Sequence, residues 1–578
     1  FEVAQADLNL AAKEEATAIL TKISGQSEAH VYKPARANDD GPGDWSTVRS
    51  GSEIIAMQKD CGGMLGCTLI NTAGTYVIRV SSGSSTSSVT RLLFSWNDHP
   101  ITLAPDEPQI EDVDYNEFEY FTFNPTASTA HLIKTSISGY SYMIVAQGKS
   151  GAAVPAACHE PTLHSNCPNT KITKSYARDA DIPLTGLTVG KPVFIGIHGR
   201  TNPETVYTLI VTVAGGNVTL VDGVPQAGGL VEKHLERFYR LETEGTHHKL
   251  SISVNPSEGY VSLYVNFCPA TQTNSYHCRN PTRSSSQWKS VSDTTGGADE
   301  QSVMIDPNRT PYYHTTDAGA YFIMVYAETT ARYTISATSS HNALTLQNGQ
   351  SLHENVQKGK YEYFKIILSP GLDLQVGLTT YAGDPDLYLS CKLNLTNSDA
   401  GFPSKANFEW QSKSSGNDVI SVAAQDSCYS KNHGQNTIFA AVYGYYDSVF
   451  TISALAGNNT LLELEDGRPI EWIVARSKFS NFYFYTAGLS TGPGSPSLNL
   501  ELTPQNCDLD LYVIECGASV EDAEDCDAPS LTQYTYKSTG TQGSESLSIN
   551  VATGTKYIRI GVYGFQAGEF SMAAWTTT

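Results

Sequence analysis

One strand pattern is written five times along this chain, and that repetition constrains the fold more than any other feature. Its first segment reads Tyr76-Val-Ile-Arg-Val80, Val193-Phe-Ile-Gly-Ile197, Tyr321-Phe-Ile-Met-Val325, Ile438-Phe-Ala-Ala-Val442 and Ile558-Arg-Ile-Gly-Val562. The closing residues of these segments stand 117, 128, 117 and 120 positions apart. A short turn follows: Tyr443-Gly444 and Tyr563-Gly564 in the last copies, His198-Gly199 as a variant. The second segment is Arg91-Leu-Leu-Phe94, Tyr207-Thr-Leu-Ile210, Tyr333-Thr-Ile335, Phe450-Thr-Ile452 and Phe570-Ser-Met572. β-Branched and aromatic residues alternating on both sides of a turn predict a hairpin.

A second anchor lies upstream in four copies: Tyr120-Phe-Thr-Phe123, Phe238-Tyr-Arg-Leu241, Tyr363-Phe-Lys-Ile366 and Phe482-Tyr-Phe-Tyr485. Asp222-Gly223, Asn348-Gly349 or Asp466-Gly467 precedes three of them, and such dipeptides supply the positive φ that tight hairpin turns require. A third element is a strand running into a cysteine: Ser262-Leu-Tyr-Val265 before Cys268, Asp386-Leu-Tyr-Leu389 before Cys391, and Asp510-Leu-Tyr-Val513 before Cys516. Units of about 115–125 residues made of short strands predict an all-β chain of tandem antiparallel, jelly-roll-like β-sandwich modules. The boundaries fall at 1–98, 99–216, 217–341, 342–458 and 459–578.

Gly383-Asp-Pro-Asp-Leu-Tyr-Leu389 and Asp508-Leu-Asp-Leu-Tyr-Val513, with the upstream Tyr-Phe and the closing Val-Tyr-Gly and Phe-Thr-Ile, resemble pre-peptidase C-terminal (PPC) domains. The resemblance is clearest in 342–458 and 459–578 and weakest in 99–216, where Gly139-Tyr-Ser-Tyr-Met143 lacks both aspartates. It implies a β-sandwich that serves adhesion or attachment without catalysis, sometimes with calcium. No catalytic domain accompanies the modules here.

The first unit is short. The two anchors are 76 to 86 residues apart in the complete copies, and counting back about 77 from Val80 reaches Val3. The first copy therefore begins inside its second anchor. Asp7 to Ile23 places Leu8, Ala11, Ala12, Ala16, Ile19, Leu20 and Ile23 near one stripe, which predicts a short N-terminal helix stopping at Gly25. A sandwich lacking a strand exposes an edge. Two readings follow: a second subunit completes this unit head-to-tail, or the helix covers the gap within the chain.

The 11 cysteines point to an oxidising compartment. Ten fall into close pairs, Cys61/Cys67, Cys158/Cys167, Cys268/Cys278, Cys391/Cys428 and Cys516/Cys526, with Cys507 left over; such pairs read as disulfides that clip loops. Asn217, Asn308, Asn394 and Asn458 stand in N-glycosylation tripeptides. A start at Phe1 fits removal of a signal peptide, a boundary of the expressed piece being the plain alternative. With 37 Lys+Arg against 59 Asp+Glu, the formal charge is −22, which argues against a nucleic-acid binder. No stretch approaches the ~20 apolar residues of a transmembrane helix.

Neither His-Glu-x-x-His nor a phosphate loop occurs in the chain. Cys158-His159, His164 and Cys167 lie too close together for a zinc site and read as a disulfide loop. Asp112, Asp114 and Asn116 imitate an EF-hand, but Glu117 and Phe123 occupy its glycine and glutamate positions. Asp384, Asp386, Asp508 and Asp510 are candidate Ca2+ ligands; the plainer role for such residues is to cap turns at a strand start. The expectation is a secreted, glycosylated, non-enzymatic structural protein that needs no cofactor, a subunit of an extracellular fibre or surface coat formed by copies of itself. The alternative is a monomeric adhesion or carbohydrate/collagen-binding array.

Overall fold

The computed structural model describes the backbone of the strands within 1–99, and residues 100–578 apart from 202–203, 214–215, 244–249, 272–276, 293–299, 306–317, 340–342, 369–371, 392–401, 427–435, 458–460, 487–496, 506, 518, 521–522, 541–542, 553 and 578. Two compact units result, one essentially residues 1–344 and one essentially 345–578. Each of the last four repeats contains a five-stranded and a four-stranded sheet. In the third repeat the five-stranded order is Asn217–Thr219, Glu236–Thr243, Gly319–Ala327, Val261–Pro269, Trp288–Ser290. The four-stranded order is Gln226–Val231, Ala331–Ser339, Leu250–Glu258, Gln301–Ile305. The alternate side chains of both sheets close one core, with Tyr239, Ile252, Val265, Ile323 and Ile335 buried in it. The fifth repeat builds the same core from Trp472, Phe482, Leu500, Leu511, Ile560 and Met572. Pairing is antiparallel except at a short edge strand, parallel to its neighbour in the second, third and fifth repeats.

The predicted hairpin is corrected. Asn436–Gly444 lies in a five-stranded sheet and Ser448–Ala456 in the four-stranded sheet facing it. The turn between them carries the chain across the core. Hairpins and crossings share the same turn chemistry, so the turn alone does not choose between them. The same holds for Asp222-Gly223, Asn348-Gly349 and Asp466-Gly467. Their glycines do have positive φ, at 75°, 80° and 73°, but each links the two sheets. The preceding side chain ties the crossing to the end of its own module. Asp222 accepts from Ser339 N–H and Oγ, Asn348 from Ala456 N–H, and Asp466 from Thr576 N–H and Oγ1.

The N-terminal helix is also corrected: Glu15–Ser24 is a strand, and residues 7–14 lie outside the described ones. Thr17, Ile19, Thr21 and Ile23 alternate along it, and it pairs on one side with Glu53–Gln58 and on the other with Val89–Trp96. Two flanking ladders outweigh the helical preference of its alanines. Among the described residues the first repeat has two three-stranded sheets. Glu2–Val3 pairs with Gly74–Thr75, in the register that Glu242 and Thr243 hold against Ala320 and Gly319. Those two residues thus occupy the end of the second-anchor strand.

Candidate functional site

The four candidate carboxylates lie at the start of equivalent strands, Pro385–Ser390 and Leu509–Glu515. The first of each pair marks a turn. Gly383, at φ 86°, leads into Asp384, whose carbonyl accepts Tyr445 N–H at 2.9 Å and whose Oδ1 accepts Gly416 N–H at 3.4 Å. The Asp508 carbonyl accepts Phe565 N–H at 3.1 Å. The second of each pair is held by a tyrosine two residues on: Tyr388 Oη donates to Asp386, and Tyr512 Oη to Asp510, both at 3.2 Å.

A third acid joins each pair, and sequence reasoning missed it. Asp418 is 1% exposed and Glu545 7%. They begin equivalent strands, Asp418–Val422 and Glu545–Asn550. Each accepts a serine hydroxyl, Ser412 on Asp418 and Ser538 on Glu545. The signal was in the sequence: Pro281…Trp288-Lys-Ser290, Pro403…Trp410-Gln-Ser412 and Pro529…Tyr536-Lys-Ser538 share one spacing. In the third repeat the acid is replaced by Gln301, which accepts Ser290 Oγ at 2.8 Å. Burial, with the neighbouring Asp386 adding to it, pushes Asp418 up to about 6. Burial likewise raises Asp386, with Asp384 adding to it, and Asp510, with Asp508 adding to it.

Among the described residues no group of three or more His, Cys, Asp or Glu is arranged to hold a metal. Serine, tyrosine and backbone donors hold part of these carboxylates, which fits the turn-capping role, while Asp508 Oδ1 and Asp510 Oδ1 are buried without a bonded donor. Adding Ca2+ or EDTA is expected to leave the thermal unfolding profile unchanged; a calcium-dependent rise in the transition that contains the fourth and fifth modules would overturn this.

A second arrangement recurs where consecutive modules meet. The middle of a four-stranded sheet presents an outward threonine, and the leading strand of the next module's four-stranded sheet donates a backbone N–H to it. Ala227 N–H reaches Thr135 Oγ1 and Glu471 N–H reaches Thr379 Oγ1, each at 2.9 Å. Around the first joint Gln226 Nε2 donates to Thr135 Oγ1 at 2.9 Å, and Arg237 faces Asp181 at 3.6 Å. Gly229, at φ 65°, leaves space for that carboxylate, since a Cβ there would stand 2.2 Å from Asp181 Oδ2. At the second joint Gly377 lies under the edge of Trp472; a Cβ on Gly377 would be 2.8 Å from Cζ3.

Cys158–Cys167, Cys268–Cys278 and Cys516–Cys526 are disulfides. Cys391 is also disulfide-bonded; Cys61, Cys67 and Cys428 lie outside the described residues. The Cys158–Cys167 bond takes both thiols from the zinc alternative, and His159 stacks on Phe194 at 4.0 Å. Cys507 is a free, part-buried thiol. Of the four glycosylation asparagines only Asn217 is described. Its amide pairs reciprocally with that of Asn280, at 3.0 Å in both directions.

No protein-family profile and no curated protein matches this sequence. Among solved structures, the pre-peptidase C-terminal domain of collagenase from Bacillus anthracis matches at 8% identity, over 20% of this chain and 92% of that domain, with a TM-score of 0.15. A likeness of that size carries no argument; the tandem sandwich rests on the sheets themselves.

Proposed function

We propose that this chain is a non-enzymatic structural subunit of an extracellular fibre or surface coat, built from PPC-like modules. The observation that carries the reading is the recurring joint. A threonine buried by the next module and a backbone donor aimed at it couple two sandwiches directly, in two places. Repeated nearest-neighbour coupling of this kind is how modular arrays resist bending. The disulfides favour an oxidising compartment. The −22 charge and glycans on the asparagine tripeptides would keep lateral surfaces apart. In the first module no strand is described beyond Val77–Ser82 or Val89–Trp96 on the sides that other modules fill. In this reading copies join head-to-tail through the first module, strand edges being surfaces on which another chain can pair.

Negative-stain imaging and sedimentation at rising concentration test the assembly. Filaments or concentration-dependent growth are expected. A monomer at every concentration that binds collagen or glycans on an array would favour the second reading, an adhesion array. Peptide mass spectrometry tests secretion: glycans are expected on Asn308, Asn394 and Asn458, with occupancy lowest at Asn217, where a sugar would have to break the Asn280 pair.

A further inference from the structure

We propose that the joint between the fourth and fifth modules is an acid-released latch, closed while the His353 ring is neutral and loosened when that ring takes up a proton. His353 lies on Ser351–Val356, the first strand of the fourth module's four-stranded sheet. Its side chain is 11% exposed. The ring stacks on Tyr381 at 5.3 Å, and its other side faces the turn through which the fifth module enters. Glu465 Oε2 stands 3.8 Å from Nε2, but that oxygen is already bound to Arg468 at 2.7 Å.

A chain of hydrogen bonds runs from the ring across the joint. Thr451 Oγ1 lies 3.0 Å from Nδ1 and 3.1 Å from Nε2. It donates to Tyr381 Oη at 3.1 Å, which donates to the Pro469 carbonyl at 3.3 Å. With an imidazole N–H donating to Thr451, every donor in the chain points toward the fifth module. Two residues beyond Pro469, Glu471 makes its bond to Thr379. The titratable groups that face the ring are therefore Tyr381 from Leu374–Ala382, and Glu465 and Arg468 from the turn; the paired strand presents the neutral Thr451.

A proton on the ring adds a buried cation beside Arg468, with the one nearby carboxylate already shared. Burial, with Arg468 adding to it, pushes the ring down to about 3, whereas an exposed histidine titrates near 6.5. A base depressed in the closed state favours closure fully above pH 6.5, and that advantage is lost as pH falls from there toward 3. One pH unit below 6.5 lowers the closing constant about tenfold. Burial raises Glu465, so its proton uptake favours the closed state and opposes the ring.

Hydrogen-exchange mass spectrometry of the full chain reads the latch at Ile470–Val474. Corrected for intrinsic rates, opening there is expected to rise about tenfold between pH 7 and pH 5.5. His353→Gln is expected to abolish the rise and Glu465→Gln to preserve it. A flat wild-type profile, or an unchanged rise in His353→Gln, overturns the proposal. Exchange of the His353 Cε1 hydrogen in the unaltered chain gives the ring's midpoint without any variant. A midpoint well below 6.5 supports the latch, and one near 6.5 overturns it.

Discussion

Trp472→Ala is expected to cost the fifth module about 3–5 kcal/mol, the range for emptying a fully buried aromatic site. The side chain is 1% exposed and packs among Leu462, Phe482, Leu500 and Met572. It also lies at the joint, where its edge meets Gly377, so the loss has two parts that a second substitution separates. Gly377→Ala puts a methyl 2.8 Å from Cζ3 and 3.1 Å from the Glu471 carbonyl. Trp472 or the whole leading strand must then shift, and exchange at Ile470–Val474 is expected to rise while the central strand Tyr557–Gly564 stays protected. In the double variant the methyl enters the space the indole left. The two changes should therefore cost less together than the sum of the singles, measured as calorimetric shifts in a double-mutant cycle. Strict additivity would mean that the ring does not bear on Gly377.

The repeat was legible because each copy restates its core pattern. The Tyr-Phe segments and the closing aromatic segments became core strands in the last four copies, and the Leu-Tyr segments in the last three. What stayed hidden depends on partners distant in the chain. Thr135 and Thr379 look like solvent-facing strand positions, and only the arrival of the next module buries them. Asp418 and Glu545 follow the strand that supplies their serine by a few residues, yet each is linked to an aspartate more than 30 positions upstream through folding of the sheet. Glu15–Ser24 misled because alanine-rich stretches satisfy a helical stripe and a strand alternation together; the two ladders flanking it decide the matter. The turn dipeptides were read correctly as positive-φ sites and wrongly as hairpins, since local geometry does not specify which sheet the next strand joins.

Asp418→Asn is expected to stabilise the fourth module at neutral pH and to remove a pH dependence. Asp418 is an acid whose folded pKa is raised, from 3.8 to about 6. Between those values the folded chain holds the proton more tightly than the unfolded chain. Stability from this group is therefore greatest below pH 4, falls as pH rises through the window, and is lowest above 6. The span corresponds to on the order of 2–3 kcal/mol at 1.36 kcal/mol per unit. Asparagine keeps the acceptor that Ser412 Oγ and Ser414 N–H use and never ionises. Its Nδ2 replaces the buried Oδ2, and an amide donor there, with the Leu387 backbone also facing the carboxylate, returns about 1 kcal/mol. A net gain of about 1–2 kcal/mol at pH 7 remains. The third module already uses this solution: Gln301 stands in the equivalent place with Ser290 donating to it. Exchange protection of Asp418–Val422 between pH 4 and pH 7 is the measurement. The wild type should lose protection as pH rises, and the variant should lose less, Asp386 keeping a smaller slope of the same sign. A variant that is weaker at pH 7 and keeps the full slope would show that the carboxylate, ionised and bound by serine, is what the fourth module needs there.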